Sequence, residues 1–81
     1  MDPLLQAVRF LEHGQWAEAH AIVQRDESPM GAWLHGLVHI LEGDTDNARY
    51  WFSRAGRAFV EPVELASELA DAKRELANKM Q

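Results

Sequence analysis

HGLVHILEGDTDNARYWFSRAG, residues 35–56, runs through a largely apolar segment, halts at Gly43, restarts in an acidic cluster and continues into an aromatic, arginine-rich segment. Leu37, Val38, Ile40 and Leu41 continue an apolar arc begun by Met30, Trp33 and Leu34, wider than half a helix circumference, which predicts a central, buried helix. Gly43 is a helix stop, and Asp44, Thr45 or Asp46 can cap the next helix, whose inward row is Ala48, Phe52, Ala55 and Phe59. The stretch therefore reads as two helices joined by a tight turn, and it sets the reading of the rest of the chain.

Working outward, Asp2 and Pro3 form a cap and first-turn pair, and Leu4, Val8 and Leu11 repeat at helical spacing until Gly14. Trp16, Ala19, His20 and Val23 form one stripe of a second helix, which ends before the Ser28-Pro29 breaker. The helix entered at Asp44 is predicted to run on to Glu61-Pro62. Beyond it, Ala66, Leu69, Ala70, Leu76, Ala77 and Met80 give an amphipathic closing helix with mixed charges opposite. No window alternates in the manner of a strand. The expected fold is all-α, a five-helix bundle over residues 1–81 as one domain, with helical hairpins at about 3–25 and 30–60 and a closing helix at about 63–80.

Eighty-one residues allow one small core that hides only roughly 60 per cent of the unfolded surface, so association with a second copy as a homodimer is expected. The absence of cysteine excludes disulfides and thiolate zinc sites. A net charge of −5 argues against nucleic acid as a partner, since a phosphate backbone demands a dense positive face. No apolar run reaches the roughly 20 residues of a membrane span, and the acidic start MDPLLQAVRF is unlike a signal peptide, so a cytoplasmic location is the expectation.

A shift of 29 residues aligns Ala7 with Gly36, Gly14 with Gly43, Ala19 with Ala48 and Val23 with Phe52. The succession Gly36, Gly43, Ala48, Phe52, Ala55, followed by Pro62, resembles the tetratricopeptide repeat over about residues 4–62, although that family's period is roughly 34. The resemblance implies antiparallel helical hairpins that present a groove to a peptide or protein. The turn and helix EGDTDNARYW is also similar to a motif of small helical proteins to which no activity attaches.

Two groups of side chains could carry chemistry. His35 and His39, four apart, share a helix face that Glu42 extends, a set of nitrogen, nitrogen and oxygen donors for a divalent metal. Gly36 occupies the position where a zinc protease helix carries its glutamate base, so the competing reading is a packing motif around Gly36, Gly43 and Ala48. Tyr50, Arg54 and Arg57 fall opposite Phe52 and Phe59 and could hold a carboxylate or phosphate of a partner, or could pair with the chain's own acids on the last helix. Trp33 and Trp51 are expected in the core. No catalytic motif and no cofactor motif is present, so no enzyme is expected. The expected role is a protein-interaction or structural module, with a small-ligand or metal-binding protein as the alternative.

Overall fold

A computed structural model describes residues 2–79, and among these there are five α-helices and no strand. They are α1 (Pro3–Glu12), α2 (Trp16–Val23), α3 (Pro29–Glu42), α4 (Thr45–Arg54) and α5 (Leu65–Lys79), with a short 3-10 turn at Pro62–Glu64 leading into α5. Met80, assigned from the sequence to the inner face of the last helix, lies outside the described residues.

The helix starts follow the caps. Asp2 Oδ1 accepts the Leu4 N–H at 2.8 Å, Ser28 Oγ accepts that of Gly31 at 3.0 Å, and Asp44 Oδ1 accepts that of Asn47 at 3.3 Å. Each satisfies an amide that the first turn of a helix leaves unpaired. Three of the helix ends share a different device. Gly14, Gly43 and Gly56 have φ of 75°, 91° and 72°, and the next residue's amide bonds back to the carbonyl of Phe10, His39 and Phe52 respectively. This reversal needs a left-handed residue, which costs glycine nothing.

It also shortens the fourth helix. The apolar row through Phe59 predicted a helix to Glu61-Pro62, but α4 ends at Arg54 because Gly56 turns the chain. Phe59 still reaches the core, its ring 5.7 Å from that of Phe52 and edge-on to it, approached from an irregular segment.

α3 is the axis of the fold, packing against α1, α2, α4 and α5, and every residue from Met30 to Ile40 is buried. α1 packs chiefly on α2, and α4 chiefly on α3. The positions related by 29 residues are buried in both halves: Ala7 and Gly36, Ala19 and Ala48, Val23 and Phe52. Gly36 has a specific reason for lacking a side chain. A Cβ there would sit 2.7 Å from the Phe52 ring and 3.4 Å from the Ala48 carbonyl, so α3 and α4 approach as closely as they do only because that atom is missing.

α5 buries Leu69, Ala72 and Leu76. Ala66, Ala70 and Ala77, expected on the same inner face, are exposed instead along an open groove between α1 and α5. No described helix is long and apolar enough to cross a membrane.

Candidate functional site

The stripe of α3 that carries Ala32, His35 and His39 faces the gap between α2 and α4. His20, one residue past the buried Ala19 of α2, points across that gap at the same stripe. The three imidazoles form a triangle, with ring centroids 4.8 Å apart for His20–His35, 5.0 Å for His35–His39 and 5.4 Å for His20–His39. One ligating atom from each lies within 4.8 Å of the others. A tetrahedral ion with nitrogens at about 2.0–2.1 Å requires them about 3.4 Å apart, so small side-chain rotations bring all three onto one ion.

Glu42, expected as a third ligand, takes a different place. Its Oε1 lies 2.8 Å from His39 Nδ1. A carboxylate can only accept, so Nδ1 carries the proton and Nε2 keeps its lone pair for an ion. This is the usual arrangement around a metal-bound histidine, in which the outer carboxylate fixes both tautomer and ring orientation. Asp44 also lies close to His39 and Glu42, but its oxygens cap α4 through the Asn47 amide and side chain.

His35 is 5% exposed and His39 6%, while His20 is half-buried and forms the accessible side of the triangle. Burial, with smaller contributions from His20 and His39, lowers the His35 pKa from 6.5 to about 4. At neutral pH this ring is therefore uncharged, as metal ligation requires. Its flat face is covered by Trp51 of α4, stacked at 3.8 Å and nearly parallel. Trp51 is thus only half-buried, and it forms the wall of the site instead of joining the core.

The arginine group divides. Arg54 Nη1 donates to Tyr50 Oη at 2.8 Å, and its guanidinium lies 5.6 Å from the Trp51 ring, so Tyr50 and Arg54 sit together at the surface beside the histidines. Arg57, expected with them, lies past the end of α4. Its guanidinium covers the Trp33 ring at 3.3 Å and bonds Glu75 Oε2 at 2.9 Å, while Trp33 Nε1 donates to Glu68 Oε1 at 3.0 Å. Arg57 therefore ties the segment after α4 to α5.

Sequence reasoning did not include His20 in the site. The available signal was its place on the inward stripe of the second helix, a polar ring where an apolar residue would pack. Among the described residues no buried side-chain nitrogen or oxygen lacks a partner, so the site is held in a satisfied network. Comparison with family models, with curated proteins and with solved structures finds no match to this chain.

Proposed function

We propose that this protein is a small helical module that binds a divalent transition metal through His20, His35 and His39, with Glu42 holding His39 in the ligating tautomer. The observation that carries this reading is the convergence of three imidazoles from two helices. Two of them are buried, one is lowered in pKa, and a carboxylate stands on the outer nitrogen of another. An all-nitrogen set suits zinc, copper or nickel and is a poor match for magnesium or calcium, which take oxygen ligands. Three protein ligands leave a fourth position for water or an exogenous group.

Zinc titrated into the purified protein by calorimetry is expected to bind at one ion per chain. His20→Ala should weaken binding by more than about 100-fold, and Glu42→Gln, which removes only the orienting carboxylate, by about 10–100-fold. Absence of zinc binding at micromolar concentrations, or His20→Ala binding like wild type, rules this reading out.

A second reading, a self-associating protein-interaction module in the cytoplasm, draws on the open groove of about 640 Å³ lined by Leu11, Leu65, Leu69, Ala70 and Ala77. The two helix pairs in succession, α1 on α2 and α3 on α4, support its tetratricopeptide-like character. Light scattering on the eluting protein is expected to give the mass of a dimer. A monomer at every concentration removes self-association.

A further inference from the structure

One helical turn along from the three imidazoles, the gap between α2 and α4 continues into a cleft of about 190 Å³. Its floor is Ala32, three residues before His35 on the same α3 stripe, and Gln24, four residues after His20, forms one wall. Trp51 and Arg54 form the other, so Trp51 belongs to both places: its ring stacks on His35 and also lines the cleft. Arg54 is held by the Tyr50 hydroxyl and lies against the Trp51 ring, and it enters none of the ion pairs among the described residues. A guanidinium so placed keeps most of its donors for a carboxylate or phosphate.

We propose that the metal and Arg54 together bind a short dicarboxylate, one carboxylate on the ion's open position and the other on the guanidinium. The proposal rests on the metal reading above. The span decides the length. Arg54 Cζ is 5.6 Å and the His35 ring 3.8 Å from the Trp51 ring, which puts the guanidinium within about 10 Å of the imidazoles. A metal–oxygen bond of about 2 Å and a charged hydrogen bond of about 2.8 Å leave about 5 Å, the reach of a four- or five-carbon diacid. Charge decides the class. Asp26 and Glu27 also line the cleft, and their carboxylates disfavour the denser charge of a phosphate, whereas ion and guanidinium balance one carboxylate each.

The test uses the cobalt(II)-loaded protein, whose visible absorption reports ligands at the metal, titrated separately with succinate, acetate and inorganic phosphate. Succinate is expected to bind at least about tenfold more tightly than acetate, and Arg54→Gln should bring succinate down to the acetate level while leaving cobalt affinity unchanged. Equal affinities for succinate and acetate, tighter binding of phosphate, or a silent Arg54→Gln would each overturn the dicarboxylate site and leave the metal site standing. A protein that takes up no cobalt overturns both.

Discussion

Phe52→Ala is expected to destabilise the protein by about 3–5 kcal/mol, the cost of removing a large buried aromatic and leaving a cavity. Phe52 is 1% exposed and sits where α4 meets α3, with its ring against the Gly36 backbone and edge-on to Phe59. A domain of this length holds about 4–12 kcal/mol in total, so the loss is a large part of it. The crossing also makes a sharper prediction. Gly36→Ala alone gains about 1 kcal/mol of helix propensity but drives a methyl to 2.7 Å from the Phe52 ring, an overpacking of about 1–3 kcal/mol. With Phe52→Ala in place the obstruction is gone, and the same change should become stabilising. Urea unfolding of the wild type, both single variants and the double variant, followed by circular dichroism, measures the coupling directly. Additive effects would show that α3 and α4 do not meet as described.

The second large effect is on pH. In the unfolded chain His35 takes up a proton near 6.5, while in the folded protein it resists until about 4. A histidine whose folded pKa is depressed stabilises the fold only while neutral, so stability is full above about pH 6.5, falls as the pH drops towards about 4, and levels off below. The loss attributable to this ring is at most about 3 kcal/mol, from 1.36 kcal/mol per pKa unit. In protein freed of metal by a chelator, unfolding free energies measured across this range should decline more steeply for the wild type than for His35→Asn. Parallel profiles would mean that the ring is not sealed between α3 and Trp51.

Much of the fold is legible in the sequence because local chemistry specifies it. Asp2, Ser28 and Asp44 cap helices where their side chains are followed by free first-turn amides, and Gly14 and Gly43 end helices in both halves of the repeat. The apolar arc of residues 30–41 announces α3 as the buried axis. The misplaced features depend on contacts between elements. Gly56 outweighs the apolar periodicity through Phe59, and once the chain turns there Arg57 finds Trp33 and Glu75 in place of Tyr50 and Arg54. The candidate site is half legible. His35, His39 and Glu42 are related by helical spacing and do lie together, but spacing along one helix does not distinguish a ligand from the residue that orients it. His20 comes from a different helix, and only the packing of α2 on α3 brings its ring to theirs.

That packing has a thermodynamic corollary. His20 and His35 are joined by a loop that includes the whole α2–α3 connection, so an ion bound by both acts as a cross-link, removing from the unfolded chain the entropy of leaving that loop open. Because such an ion favours the folded chain, each tenfold rise in its free concentration above the dissociation constant adds about 1.4 kcal/mol to the stability of a small core that has little to spare. Occupancy of the site and persistence of the fold would then be a single equilibrium, with the supply of metal setting how much of the protein is folded.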